Sequence, residues 1–157
     1  MTHLPQDYKI TQAIPPTVGA GGALTSDTIS LKHVQRLWII VDITDAGGDA
    51  LLLTPQRCTN VAAAGAAVLA NTVQIWSNVN TALTDTLVRQ ADALNHTTDA
   101  TITNKQVVFQ IDPASLGATY DCLNLLTGAV NANTTISAVF VAEIRYPQAT
   151  PPSIILD

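Results

Sequence analysis

The fold is decided by one stretch near the C-terminal end of the chain, Thr135-Ile-Ser-Ala-Val-Phe-Val-Ala-Glu-Ile-Arg-Tyr146. Apolar residues alternate along it, so an extended chain places one set of side chains on a single face. That set is Ile136, Ala138, Phe140, Ala142 and Ile144. Strict alternation is typical of a β-strand that buries one face. We therefore predict a long strand over 135–146.

A second long strand is predicted over His33–Thr44, which has the sequence HVQRLWIIVDIT. Its centre is apolar at consecutive positions, as expected for a strand that lies inside a sheet with both faces covered. The residues that follow, Asp45-Ala-Gly-Gly-Asp49, form a strong turn signal because two glycines separate strand-like runs. We expect Ala50–Leu53 to be the returning strand.

Five further runs have the short apolar or alternating pattern of strands. They are Thr72–Ser77, Thr84–Ala91, Ala100–Thr103, Lys105–Ile111 and Tyr120–Leu126, with a polar loop expected at Asn95–Asp99. Strands do not alternate with long helical segments, as they would in a parallel α/β fold. The predicted fold class is mainly β, an antiparallel β-sandwich or jelly-roll-like fold of about eight strands.

One or two short helices are expected beside these strands. Thr54 has the residue type of a helix N-cap, Pro55 suits the first helical position, and the Ala-rich stretch Val61–Ala70 favours helix by propensity. These signals predict a helix over 55–69. Asp112 before Pro113 has the same pattern and predicts a helical turn.

The chain is expected to form one domain between two arms. The prediction is an irregular N-terminal arm over 1–16, a single β-rich domain over 17–146 and a C-terminal arm over 147–157. Proline interrupts both arms, at Pro5, Pro15, Pro16, Pro147, Pro151 and Pro152. Glycines make Thr17–Leu24 a loop or a weak edge strand, and Ile154–Leu156 offer apolar side chains for docking. Ordinary frayed termini are the alternative to functional arms.

Charge is scarce and acidic. Charged residues make up 12% of the chain and aromatic residues 4%, and the net charge is −5. An average domain has about 25% charged residues, so little repulsion opposes association between copies of this chain. Self-association is the preferred prediction, and a small monomer with a neutral surface is the alternative.

The basic residues argue against nucleic acid and anionic membranes as partners. They are scattered along the sequence, at Lys9, Lys32, Arg36, Arg57, Arg89, Lys105 and Arg145. Nucleic-acid and anionic-membrane binding both require clustered positive charge. The first residues lack the basic and apolar regions of a secretory signal, and no apolar run has the length of a membrane span. Synthesis in the cytoplasm is therefore expected.

No catalytic, cofactor-binding or metal-binding residue is predicted. The chain lacks the GxSxG, HExxH and phosphate-loop motifs. The three histidines lie in separate segments, at His3, His33 and His96. Asp42, Asp45 and Asp49 flank the Gly-Gly turn without the oxygen spacing of a calcium loop, so a turn explains them. Cys58 and Cys122 are predicted to be two buried thiols, with a disulfide between them as the alternative.

Two other residue pairs leave alternatives open. Trp38 and Trp76 have apolar neighbours in their strands, so core packing is predicted, and an exposed sugar-binding platform is the alternative. Arg89 and Arg145 are predicted to be either solvated or paired across an interface. The candidate partners are Asp85, Asp92, Asp112 and Glu143.

Several segments, in their order along the chain, resemble small structural proteins of tailed bacteriophages. They are Leu51–Arg57 with the Ala-rich stretch after it, Gln74–Asn78, Val107–Pro113 and Tyr120–Leu123. The resemblance implies a capsid decoration or auxiliary head protein, a class that is commonly β-rich, forms dimers or trimers and binds an assembled shell. No functional residue is carried over, since no diagnostic motif accompanies the resemblance.

The sequence therefore predicts a non-enzymatic virion structural protein that self-associates and binds the major capsid protein. No cofactor, nucleic acid or membrane is expected as a partner. The alternatives are a tail or baseplate component, a carbohydrate-binding β-sandwich on the particle surface and an unrecognised hydrolase.

Overall fold

The computed structural model describes residues 4–146, 149–150 and 153–155. Within them the chain forms twelve strands, a four-residue α-helix and a four-residue 3-10 helix. In chain order these are α1 (Leu4–Asp7), β1 (Tyr8–Val18), β2 (Gly22–Thr25), β3 (Ile29–Ser30), β4 (Val34–Asp45), β5 (Leu52–Cys58), β6 (Ala67–Val68), β7 (Gln74–Asn78), β8 (Val88–Arg89), β9 (His96–Thr97), β10 (Asn104–Ile111), the 3-10 helix (Pro113–Leu116), β11 (Cys122–Val130) and β12 (Thr134–Ile144).

The strands form two antiparallel six-stranded sheets that make a sandwich, so the predicted fold class is confirmed. Sheet A has the order β1-β12-β4-β10-β7-β8. Sheet B has the order β2-β11-β5-β6, with β3 also beside β11 and β9 beside β5. Four of the twelve strands have only two residues each, which is why the sequence pattern indicated fewer strands.

The core lies between the sheets and follows the predicted alternation. On β12, the five residues predicted to share a face are all buried, at no more than 3% exposure. On β4 the inward positions include Leu37, Ile39 and Val41, each fully buried, and Phe109 of β10 joins them. A large apolar side chain contributes about 1.5–3 kcal/mol when it is fully buried. These three neighbouring strands therefore form a well-packed base for sheet A.

The prediction that residues 1–16 form an irregular arm is wrong for residues 4–16. A short helix precedes β1, and β1 pairs with β12 from Tyr8 opposite Glu143 onwards. The sequence signal misled because Pro15 and Pro16 sit at a register shift on an edge strand. A missing backbone N–H is tolerated at an edge. Met1–His3 lie outside the described residues.

The C-terminal arm predicted over 147–157 is described only at 149–150 and 153–155. Ile154 is buried in the core at 2% exposure, and its backbone oxygen accepts a hydrogen bond from the Ser30 N–H at 2.5 Å. Docking of this segment by an apolar residue is therefore confirmed for Ile154. Pro147, Pro151, Pro152 and Leu156 lie outside the described residues.

The two helix predictions had different outcomes. The helix over 55–69 is wrong, because Pro55 lies inside β5 with Leu125 of β11 opposite it. On its other side β5 pairs with β9 and β6 at residues that flank Pro55, so the proline occupies a gap in that edge. The turn at Asp112 is confirmed, since its carboxylate accepts a hydrogen bond from the Ala114 N–H at 2.9 Å.

The turn at 45–49 does not make a hairpin. After Asp49 the chain crosses to sheet B, where β5 pairs with β11 rather than with β4. The predicted strand over 84–91 shrinks to Val88–Arg89, and 100–103 forms no strand. The loop predicted over 95–99 contains β9. The weak edge strand predicted in 17–24 is confirmed in β2.

Candidate functional site

The outer face of sheet A carries apolar side chains where a sandwich normally presents polar ones to solvent. Along β4, Ile39 points into the core, while Trp38 and Ile40 lie on the opposite face and are partly exposed. The same alternation holds on β10, where Val108 and Gln110 are partly exposed between buried residues. β4 is therefore apolar on both faces because one face lies in the core and the other is part of an apolar surface.

Two rows of directly opposed side chains cross this outer face. The first row, from β1 to β8, is Gln12, Val139, Ile40, Val108, Trp76 and Arg89. The second, from β1 to β7, is Ile10, Val141, Trp38, Gln110 and Gln74. Opposed residues on antiparallel strands share a face, so the apolar members form a continuous surface. We name the part formed by Ile10, Ile40, Val139 and Val141 the apolar band.

The prediction that both tryptophans pack in the core is wrong. Trp38 and Trp76 alternate with Ile39 and Ile75, which are fully buried and occupy the inward positions. The Trp38 Nε1–H donates a hydrogen bond to Gln110 Oε1 at 3.2 Å. Each tryptophan is next to one of these isoleucines in the sequence. Because neighbouring residues of a strand lie on opposite faces, an inward isoleucine places the tryptophan on the outer face.

Cations and a second aromatic ring flank the tryptophans. The Arg89 guanidinium carbon lies 4.9 Å from the centroid of the Trp76 ring, and that of Arg36 lies 5.8 Å from the Trp38 ring. The Tyr8 ring centroid is 6.1 Å from that of Trp38. These contacts restrict the orientations of both indole rings.

Arg89 and Arg145, the two arginines with predicted acidic partners, differ in the contacts that they make. Arg89 forms an ion pair with Asp92, one of the predicted partners. Both side chains are exposed, so the pair contributes little to stability. Arg145 donates from Nε to the backbone oxygen of Val34 at 3.1 Å. Among the described residues, Arg89 therefore has an acidic partner within its own chain, and pairing across an interface stays a prediction.

Two shallow cavities meet beside Gln110. The first has a volume of about 350 Å³ and is lined by Trp38, Trp76, Leu87, Val108 and Gln110. The second has a volume of about 300 Å³ and is more polar, with Gln110 again in its wall. Its polar lining includes Arg36, Gln74, Asp92, Asp112 and Ser115. We name the two cavities together the outer groove.

The carboxylate of Asp45 holds the Gly-Gly turn together. The Asp45 carboxylate accepts hydrogen bonds from the backbone N–H groups of Gly47, Gly48 and Asp49, as the turn interpretation predicts. It also binds the Lys105 Nζ at 2.7 Å, a partner that the sequence did not indicate. In the part of the chain that the structure describes, no three His, Cys, Asp or Glu side chains are grouped to hold a metal ion.

The histidines occupy different parts of the fold. His33 lies in an exposed turn before β4, and His96 lies in β9 opposite Leu53. Burial lowers the pKa of His96, which keeps its imidazole neutral near pH 7. The Ser115 hydroxyl donates to the Asp112 backbone oxygen at 2.7 Å and closes the 3-10 turn. His3 lies outside the described residues.

The two cysteines lie directly opposite each other in sheet B. Cys58 of β5 faces Cys122 of β11, both are thiols with no exposed surface, and the Cys122 thiol donates a hydrogen bond to Asp121 Oδ1 at 3.3 Å. The predicted buried thiols are therefore confirmed. Burial raises the pKa of the Cys58 thiol, which disfavours the reactive thiolate.

We expect both thiols to resist a water-soluble thiol reagent such as Ellman's reagent while the protein is folded. In denaturant two equivalents of thiol should react, and absorbance measures both stages. Adding the reagent to a Cys58→Ser variant in denaturant should give one equivalent. Rapid native labelling of either cysteine would contradict the burial described.

Comparisons with protein-family models and with curated proteins find no match. The chain is similar in structure to the enzymatically active domain of tailspike protein 4 of bacteriophage CBA120, with a TM-score of 0.43 and 8% identity. That similarity covers 87% of this chain, which spans 19% of the tailspike chain.

Two other solved structures are similar to the chain. A structure of broad bean stain virus has a TM-score of 0.31 and 12% identity, covering 100% of this chain and 98% of the other. A CBM4 structure has a TM-score of 0.28 and 11% identity, covering 90% and 71%. All three TM-scores are below 0.5, so they assign neither a family nor a function. No helix among the described residues has the length and apolarity to cross a membrane.

Proposed function

We propose that the chain is a non-enzymatic structural protein of a virus particle, which self-associates as a dimer or trimer and binds the capsid shell. The apolar band on the outer face of sheet A is the observation that supports self-association best. Ile10 is 52% exposed there, and Ile40, Val139 and Val141 remain partly exposed beside it. Contiguous exposed apolar surface commonly marks a protein–protein contact.

A second copy of the chain is the occupant that we propose for the band. No charged residue belongs to the band, so two copies can bury it without desolvating an ion or bringing like charges together. The nearest charges on the same face lie at its two margins, where Glu143 and Arg36 oppose each other across β12 and β4 and Asp42 lies two residues beyond Ile40. Such a polar rim around an apolar centre is the usual anatomy of a protein interface.

The edge of sheet A favours contact through the face. β1 is the edge strand of sheet A and contributes Ile10 to the band, and Pro15 and Pro16 interrupt its pairing. Two residues without backbone N–H donors blunt this part of the edge against strand addition. Face-to-face packing of sheet A therefore uses the available surface without continuing the sheet.

The virion role is supported by the low charge of the chain and by its phage-like segments. Weak contacts become effective when many copies bind one shell, because attachment is then multivalent. A capsid decoration or stabilisation role follows, with the major capsid protein as partner and the virion as location. A tail or baseplate position is the alternative, and immunogold labelling of intact particles distinguishes the two.

Replacing Ile10 with lysine is expected to convert the self-associated protein into a monomer, because a charge would be buried at the band. Sedimentation velocity measures the change in mass. Val139→Lys should have the same effect from the neighbouring strand. Ile102→Lys is the matched control, since Ile102 is 68% exposed in a loop outside the band, and its mass should be unchanged.

Shell binding is measured separately, by co-sedimentation of the purified chain with empty capsid shells. The proposal expects saturable binding of the unmodified chain. A chain that is strictly monomeric and that stays in the supernatant would refute the proposed function.

A further inference from the structure

We propose that the outer groove is a binding site for a neutral oligosaccharide. The groove lies beside the apolar band on sheet A and joins an aromatic cavity to a polar one through Gln110. A ligand site of this size typically combines an apolar lining with a few placed polar groups. The proposal goes beyond the structural role and does not depend on it.

The aromatic half is suited to pyranose rings. Trp38 and Trp76 lie on β4 and β7 with β10 between them, a separation across the strands of two interstrand spacings, about 10 Å. On β10, Gln110 is opposite Trp38 and Val108 is opposite Trp76, so the two indoles are also offset by two residues along the strands. Flat aromatic surfaces stack on the apolar C–H faces of sugars, and two indoles at this separation can engage neighbouring units of a chain.

Both indoles are held before any ligand arrives. Trp38 is fixed by its hydrogen bond to Gln110 and by the Tyr8 ring, and Trp76 carries the Arg89 guanidinium against its ring. A pre-ordered side chain loses little conformational freedom on binding, which favours affinity. Both tryptophans also lie on paired strands, where side-chain positions vary less than on loops.

The polar half supplies both donors and acceptors. Arg36 and the Gln110 and Gln74 amides can donate, while Asp112 and the two amide oxygens can accept. Hydroxyl groups donate and accept at once, so a sugar matches such a mixed lining better than an apolar peptide side chain does. Gln110 links both halves, because its Oε1 is already bonded to Trp38 and its Nε2 supplies further donors.

The charge distribution selects a neutral ligand. Asp92 and Asp112 both line the polar cavity, where Arg36 faces them and Arg89 pairs with Asp92, so the groove has no surplus positive charge, and the whole chain carries a net charge of −5. Sialylated or uronic-acid glycans would therefore find no unpaired cation to offset the desolvation of their carboxylates. Uncharged hexose chains bring no such penalty.

The groove and the apolar band are adjacent but distinct. Trp76, Leu87 and Gln74 lie beyond β10 from the band and stay accessible when the band is buried, whereas Trp38 and Arg36 share β4 with Ile40 and border the contact. Several grooves would then be displayed on one particle, so weak individual binding to a glycan-bearing surface would be reinforced by multivalency.

The test is a printed panel of neutral hexasaccharides, including gluco-, manno- and galacto-configured chains, beside sialylated and uronic-acid glycans. The full chain should bind at least one neutral member and no acidic one, with a change in tryptophan fluorescence in solution. Trp76→Ala and Trp38→Ala should each weaken that binding at least about tenfold, since aromatic anchors dominate such contacts.

Tyr146→Ala is the matched control, because Tyr146 is an aromatic residue that is 73% exposed outside the groove, and its binding should be unchanged. Gln110→Ala gives a second, smaller test, and thermal unfolding of each variant verifies that it is folded. Absence of binding to every neutral member, preference for acidic glycans, or binding that survives both tryptophan substitutions would overturn the proposal. Self-association through the band is measured by mass, so its failure is distinguishable from failure here.

Discussion

Replacing Lys105 with methionine is expected to lower the free energy of unfolding by about 3–5 kcal/mol, because it leaves a buried carboxylate without its countercharge. Lys105 and Asp45 have side chains that are only 2% and 1% exposed, and their Nζ and Oδ2 atoms are 2.7 Å apart. Urea denaturation followed by far-UV circular dichroism measures the change.

The Asp45 carboxylate is held by several groups at once. Burial alone would raise its pKa, but the hydrogen bonds from Lys105, Gly47 and Gly48 outweigh burial, and the pKa lies below its ordinary value of 3.8. The hydroxyl of Thr134, a residue of β12, donates a further hydrogen bond to Asp45 Oδ1 at 3.4 Å. The carboxylate thereby joins the turn after β4 to both neighbouring strands of sheet A, which is why the loss of Lys105 should affect the whole fold.

The pH dependence has a definite sign. Because the folded-state pKa of Asp45 is lowered, its ionised form stabilises the fold above pH 3.8, and this stabilisation is lost as the pH falls through the lowered folded value. Removing Lys105 removes the main lowering contact, so acid unfolding of the variant should begin at a higher pH.

The double variant Asp45→Asn with Lys105→Met is the control. Asparagine keeps an oxygen for the backbone N–H groups of the turn and carries no charge. We expect it to recover most of the lost stability, since removing both charges of a buried pair is often nearly neutral. Equal denaturation midpoints for Lys105→Met and the unmodified chain would contradict the assigned role.

The Lys105 example shows what the alternation pattern can and cannot predict. In β10, Lys105 has the same phase as Val107, Phe109 and Ile111, so the pattern alone places it on the inward face. A buried lysine requires an anion, but the partner lies far away in the sequence. Only the register of β10 against β4, which brings Lys105 opposite Ile43, places it near Asp45.

The errors in local structure have a related cause. Thr54-Pro55 has a genuine helix-start composition, but pairing with β11 overrides it, since tertiary contacts dominate weak local propensity. The strand predictions succeeded best at β4, β10 and β12, where the apolar alternation is long. They failed over 84–91 and 100–103, where polar residues alternate by chance without a core to face.

The sequence indicated the outer groove only as an alternative, an exposed sugar-binding platform at Trp38 and Trp76, and could not assemble its lining. Trp38, Val108 and Trp76 come from three segments that are brought together only by the registers of β4, β10 and β7. Apolar residues on both faces of β4 predict that both faces of this strand are covered by other parts of the protein. One of those faces is instead the partly exposed surface that carries the apolar band and the groove.

Replacing Gly19 with alanine is expected to lower the free energy of unfolding by at least about 2 kcal/mol, since the added methyl group overpacks against backbone. A Cβ at this position would lie 2.1 Å from the Val130 oxygen and 2.3 Å from the Asn131 oxygen. Neither atom can rotate away as a side chain would. The Gly19 N–H also donates to the Thr134 oxygen at 2.9 Å, so relief by movement would break that hydrogen bond.

Gly22→Ala is the matched control, because a Cβ at Gly22 would meet no atom within 4 Å. Its stability should stay within about 0.5 kcal/mol of the unmodified chain. Both variants are compared by urea denaturation at one protein concentration, which keeps any contribution from self-association the same for each. A large loss for Gly19→Ala alone would show that the stability of the fold depends on a close approach between two segments. They are the connection from β1 to β2 and the connection from β11 to β12. Equal losses for both variants would show that the destabilisation does not come from this close approach.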